Sequence, residues 1–238
     1  MANSTWTSII ITILIIIILF DCKKSCYEFF TLKYIKSDID GIKYPVVASY
    51  VDNKEAASRI GEMNIFALKL IKKLKDVYLD KALSEVLSKD LSNESKVAEL
   101  PEVIKGREIA NTLIKKFNSK SLQENEPDSV NKTSYTTNKG EVISLCLREK
   151  KSGKNKFHNK EILQFVLIHE LSHIITPEIN HSVLFWINFK FLLEFCNKYD
   201  LYTAPDYEAF NENYCGLDIS YNPTTDHSLI SYFANITK

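Results

Sequence analysis

The stretch His169-Glu170-Leu171-Ser172-His173 constrains this chain more than any other. It lies within an apolar run of Ile162, Phe165, Val166, Ile168 and Leu171, whose spacing predicts a helix. Asn159 ahead of it is an N-cap residue type, and Pro177 just beyond it is a stop signal. On a helix, residues four apart share a face, so both imidazoles can reach one ion. Glu170, about 100° further round, can hold the water that such an ion activates. Two imidazoles and a carboxylate would otherwise be costly to bury on a mostly apolar helix. The pattern therefore points to His169 and His173 as metal ligands and Glu170 as a catalytic general base.

A catalytic zinc commonly takes three protein ligands and keeps one position open. Thr176-Pro177 breaks the helix, and His181 follows shortly after it. An apolar helix expected over residues 182–198 could hold His181 rigidly, which makes it the expected third ligand. Glu194, from that following helix, is an alternative, as are Glu178 and Asp206. Zn2+ is the cofactor this set implies. His158 and His227 read as surface or satisfied core residues, and Phe185, Trp186 and Phe189 as packing. A tyrosine could assist a developing oxyanion, with Tyr135, Tyr202, Tyr207 and Tyr214 all open.

The amino terminus reads differently. No charged side chain occurs in residues 1–20, and residues 9–20 are almost purely Ile and Leu. About 20 apolar residues span a bilayer core, so residues 1–22 are expected to form one transmembrane helix. Residues 23–44 would then be a juxtamembrane segment, and residues 45–238 the folded domain. Lys23, Lys24, Lys33 and Lys36 all follow the apolar run, which predicts a single-pass protein with its catalytic domain cytoplasmic or virion-interior. Asn93, Asn131 and Asn235 would become glycosylation acceptors in the opposite orientation. The five cysteines, Cys22, Cys26, Cys146, Cys196 and Cys215, are odd in number and scattered, so no disulfide framework is expected.

Further elements follow from patterning. A strand is expected at 45–51, then a helix capped by Asp52 or Asn53 and running to about Tyr78. Helices are also expected at 81–91 and 107–117, a β-hairpin at 133–147, and a short strand at 215–220. Residues 148–160 form a basic loop, read as solvated because Phe157 is its one aromatic. Lys plus Arg balance Asp plus Glu at 30 each, which gives no global push toward nucleic acid. Strand 141–147 could offer an edge to which an extended peptide adds.

The series from His169 to His173, then seven residues, then His181-Ser182 and Phe185-Trp186, resembles the zinc peptidases of the WLM and SprT-like group. That resemblance implies a zincin-like α+β metallopeptidase domain, mostly helical with a small β-sheet, and three histidine ligands. Wider stretches resemble a set of uncharacterised, membrane-anchored metallopeptidase-like proteins of large DNA viruses. They are Asp52 to Ala57, Thr133 to Glu141, Leu145 to Arg148, Asp206-Tyr207 and Tyr214 to Gly216. The resemblance implies a viral or virion-membrane setting and adds no known substrate.

Taken together, these features predict a membrane-anchored zinc peptidase acting on protein or peptide, with no specific nucleic-acid partner. The alternative is a non-catalytic membrane protein in which zinc only stabilises the fold. A purely structural site has no use for Glu170.

Overall fold

The computed structural model describes residues 32–80, 100–125, 133–149 and 156–233, together with Ile16. Its longest element, α1 (Asn53–Tyr78), buries Ala56, Ala57, Ile60, Met63, Phe66, Leu70 and Leu74 along one stripe. This is the periodicity the sequence displays, and it fixes the helix against the core. α2 (Pro101–Lys116) packs across it, with Pro101 at its first turn, where a missing N–H costs nothing. The approach is close: a Cβ on Gly106 would meet the Tyr78 ring at 2.5 Å. The Tyr78 hydroxyl donates to Glu102 at 2.8 Å, and Lys198 reaches the same carboxylate at 3.1 Å.

α3 (Lys160–Ile175) is apolar on nearly every side and runs through the centre of the domain. Asn159 caps it as expected, its side chain accepting from the Ile162 N–H at 2.8 Å. α4 (Val183–Lys198) is likewise capped by Ser182, which accepts from the Phe185 N–H. It buries Phe185 and Phe189 against α3, and Phe191 and Phe195 against Tyr78 of α1.

Among the described residues, the strands form three small sheets. β1 (Leu32–Lys36) and β2 (Lys43–Val47) make an antiparallel hairpin. β3 (Leu122–Glu124), β4 (Tyr135–Thr137) and β5 (Val142–Leu145) form a sheet ordered β3-β5-β4, with β3 parallel and β4 antiparallel to β5. β6 (Glu212–Tyr214) and β7 (Leu217–Ile219) make a second hairpin around Cys215-Gly216. Both turn residues have positive φ, 51° and 89°, the combination a tight type I′ turn requires. The architecture is α+β, with helices dominating and the sheets small.

Several expectations are corrected. The single-pass membrane reading is overturned, because among the described residues no helix is long and apolar enough to cross a membrane. α3 and α4 are apolar but only 16 residues long, against about 20 for a span. α1 is longer but carries charges on its outer face. The anchor expected at 1–22 lies outside the described residues, as do the helix expected at 81–91, Cys22, Cys26, Asn93, Asn131 and Asn235. β1 lies within the 23–44 stretch read as juxtamembrane.

Strand 141–147 is not an edge: β5 is central, and β4 holds the edge position. Arg148, grouped with a solvated basic loop, is 1% exposed, and its guanidinium pairs with Glu124 and Asp52 at 2.7 Å. A disulfide joins Cys146 at the end of β5 to Cys215, across 69 residues of sequence. No spacing motif announced it, because the β6–β7 hairpin folds back onto β5 only in the tertiary structure.

Candidate metal centre

α3 carries His169 and His173 one turn apart, both lining one cavity. The chain leaves the helix at Thr176-Pro177 and reverses through Asn180, which adopts a positive φ of 75°. His181 is thereby brought back over the helix. Its Nε2 lies 3.1 Å from that of His169 and 3.2 Å from that of His173. Imidazole nitrogens held at about 2.0–2.1 Å around tetrahedral zinc stand about 3.3 Å apart, so the three side chains fit that ion. Phe185 lies beneath all three rings, with centroid distances of 4.8, 4.4 and 4.6 Å to His169, His173 and His181.

Burial keeps these imidazoles neutral, the form that binds metal. Desolvation takes His169 well below its ordinary value, with further lowering from the neighbouring His173 and His181. It takes His173 down to about 4, helped by His181 and Lys139, and lowers His181 as well.

Glu170, next along the same turn, lines the same cavity and is 2% exposed. Its Oε2 accepts a hydrogen bond from the Thr136 hydroxyl at 2.7 Å. Burial pushes its carboxyl up to about 7, and the Thr136 bond offsets part of that rise. β4 thus touches the base directly. In the turn after β4, Lys139 donates from Nζ to the carbonyls of Thr176 at 2.6 Å and Glu178 at 2.7 Å. It thereby satisfies the C-terminal end of α3 and fastens the loop that carries His181.

The cluster opens on a cavity of about 840 Å³. β4, α3, α4 and the β6–β7 hairpin all contribute walls. Of the open tyrosine candidates, Tyr135 and Tyr214 line it, whereas Tyr202 and Tyr207 are buried in the core. Tyr214 shares a 2.5 Å hydrogen bond with Ser134.

The other candidate ligands are engaged elsewhere. Glu194 accepts from Ser231 at 2.9 Å, and Asp206 accepts from the backbone N–H groups of Glu208 and Ala209. Glu178 rims the cavity and accepts from Ser182 at 2.6 Å. His227 is exposed. His158 is a satisfied core residue, accepting from the Cys215 N–H at 3.3 Å. Thr136 and Lys139 are contributors that sequence reasoning missed; the Asn-Lys-Gly turn signal marked their neighbourhood but not their role.

A helix-borne His-Glu-x-x-His turn, a returning third histidine and a flanking edge strand make up the site, whose three histidines could hold a metal ion. The sequence pattern of the WLM domain matches residues 88–222, and the chain belongs to that family. An uncharacterized protein of Acanthamoeba polyphaga mimivirus is 37% identical over 219 residues, covering 91% of this chain and 96% of that protein. An uncharacterized protein of Invertebrate iridescent virus 6 is 35% identical over 82 residues, 34% of this chain and 44% of that one. One from Invertebrate iridescent virus 3 is 34% identical over 84 residues, 35% and 50% respectively. No solved structure matches.

Proposed function

We propose that the protein is a zinc-dependent peptidase. His169, His173 and His181 hold the ion, and Glu170 is the general base. The observation that carries this reading is the convergence of the three Nε2 atoms at one mouth of a cavity, with a buried carboxylate on the same helical turn. Family membership supports zinc binding and hydrolysis as its coarser terms.

When bound, zinc supplies a Lewis acid that polarises a carbonyl oxygen and makes water acidic. The residues of the chain do the rest. Glu170 takes a proton from the attacking water as its oxygen bonds to the carbonyl carbon. The carboxyl then delivers that proton to the departing amine nitrogen as the C–N bond breaks. Thr136 fixes the carboxylate so that one oxygen faces the cavity. β4, as the edge strand, offers backbone groups along which an extended peptide can pair, a role first assigned to strand 141–147. A purely structural zinc site would leave Glu170 and the cavity without a use.

The test uses two variants of the full chain. Glu170→Gln is expected to lower peptide turnover by about 10²–10⁴-fold while zinc content, read by atomic absorption, stays at the wild-type level. His181→Ala is expected to lose zinc while its circular dichroism stays native. Full zinc in the His181 variant would remove it from the ligand set. Full turnover in the Glu170 variant would remove the base, and with it the mechanism.

A further inference from the structure

Cys146, His158 and Cys215 bring two sulfurs and an imidazole nitrogen within 4.8 Å of one another, and all three residues are buried. A disulfide needs no histidine beside it, yet Nε2 of His158 lies 3.3 Å from the Cys215 sulfur. The same nitrogen accepts from the Cys215 N–H, so it is the ring nitrogen without a proton, the form that binds metal. Cys215 is held at φ 51°, a left-handed conformation that costs a side chain other than glycine. Gly or Asn suits that turn position better, and what Cys215 adds there is a sulfur at the end of β5.

The spacing suits a tetrahedral ion. Zinc bonds of about 2.3 Å to sulfur and 2.0–2.1 Å to nitrogen set sulfur and nitrogen about 3.6 Å apart and two sulfurs about 3.8 Å apart. The first separation is nearly met already. The second is reached by side-chain rotation once the sulfurs are released, since the two Cα atoms stand 6.4 Å apart. The Arg148 carbonyl oxygen, 3.5 Å from the Cys146 sulfur and 3.4 Å from that of Cys215, is placed to take the fourth position. Two thiolates cancel the charge of Zn2+, so the filled site adds no net charge to the interior.

The cavity gives such a site a use. The β6–β7 hairpin supplies Tyr214, Leu217, Asp218 and Ile219 to the cavity wall. Its strands are three residues each and hold themselves weakly. Where the disulfide is reduced, the hairpin needs another tie to β5.

We propose that Cys146, His158 and Cys215 form a second metal site, for zinc, which takes over from the disulfide when the chain is reduced. A dithiol breaks the S–S bond: two electrons and two protons pass to the sulfurs, and the dithiol closes to its own disulfide. Zinc then displaces the two thiol protons to solvent as two S–Zn bonds form, with no further redox change. None of the three residues lines the cavity, so the site is closed and structural.

The test reads the metal by colour. The full chain is titrated with Co2+ before and after reduction by a phosphine, which takes up the oxygen of a water while the sulfurs take its protons. Cobalt bound by thiolate absorbs strongly in the near ultraviolet, and cobalt bound by imidazole alone does not. The disulfide-intact protein is expected to show no such band. The reduced protein should show it, and added Zn2+ should bleach it, because soft thiolates select zinc. His158→Gln, reduced in the same way, should bind Co2+ at this site at least about 100-fold more weakly, since losing a ligand exceeds losing its outer partner.

No band after reduction would overturn the proposal. Cys22, Cys26 and Cys196 are present before and after reduction, so an equal band before it would assign the metal to them and overturn the site as well. An unchanged Kd in His158→Gln would overturn the three-donor set. If the reduced chain loses its native circular dichroism, recovery on adding zinc would support the site, and failure to recover would overturn it. His173→Ala should give the same band as the wild type, which keeps the result separate from the peptidase reading.

Discussion

Among the described residues, two histidine-containing clusters have opposite designs. His169, His173 and His181 converge with their nitrogens unspent and open onto the cavity. Cys146, His158 and Cys215 converge just as closely, yet all three are buried, and the sulfurs are already joined to each other. Burial lowers the histidine pKa in both. Three donors held together thus serve two ends, depending on whether they face solvent and whether their valence is used. On the proposed function the open cluster carries the chemistry, whereas the closed one ties the β6–β7 hairpin to the end of β5.

The largest effect should come from breaking the closed cluster. Three-residue strands give the β6–β7 hairpin little stability of its own. The disulfide closes a separation of 69 residues, which corresponds to about 4 kcal/mol of chain entropy removed from the unfolded state. Reduction, or Cys215→Ser, is therefore expected to cost roughly that much in urea unfolding while zinc stays bound. His173→Ala should do the reverse, losing zinc and leaving the metal-free stability little changed. If reduction stripped zinc as readily as His173→Ala does, the division between the clusters would fall.

The clusters also differ in how visible they are in the sequence. The open one is legible because its parts are local. Helical spacing places His169 with His173, Thr176-Pro177 ends the helix, and Ser182 starts the next one behind His181. The closed cluster was invisible, since Cys146 and Cys215 meet only after a sheet and two helices have folded. The same holds for Thr136, which finds Glu170 across 34 residues, and for Lys139, which finds Thr176 across 37. Arg148 looked like one more charge in a basic loop, because its partners Glu124 and Asp52 come from distant elements. β1 escaped notice because three of its five residues are exposed and no apolar alternation marks it.

A smaller effect tests how the edge strand serves the open cluster. Thr136→Val keeps the shape of the side chain and removes the 2.7 Å hydrogen bond to Glu170. A hydrogen bond to an ionised group is worth about 1.5–3 kcal/mol, so turnover should fall by at least about tenfold. Zinc content and the unfolding midpoint measured with zinc bound should both hold. Unchanged turnover would mean that Glu170 needs no partner and that β4 acts only on the substrate.

The smallest effect lies in the closed cluster and depends on pH. Desolvation depresses the His158 pKa below its ordinary 6.5; Glu149 opposes this and Lys156 adds to it. The unfolded chain therefore binds a proton that the folded one resists. The stability held by neutral His158 is complete above pH 6.5 and is lost as pH falls from there toward the folded-state pKa. The slope cannot exceed about 1.4 kcal/mol per pH unit for one proton. The histidines of the open cluster titrate in the same sense when metal-free, so the measurement is a difference. Wild type and His158→Gln, both metal-free and disulfide-intact, are unfolded in urea at pH 7.5 and at about 5.5. The wild type should lose more stability than the variant between the two, because Gln can still accept from the Cys215 N–H yet binds no proton. Parallel losses would show that His158 already carries its proton in the fold, and that the closed cluster is held by its sulfurs alone.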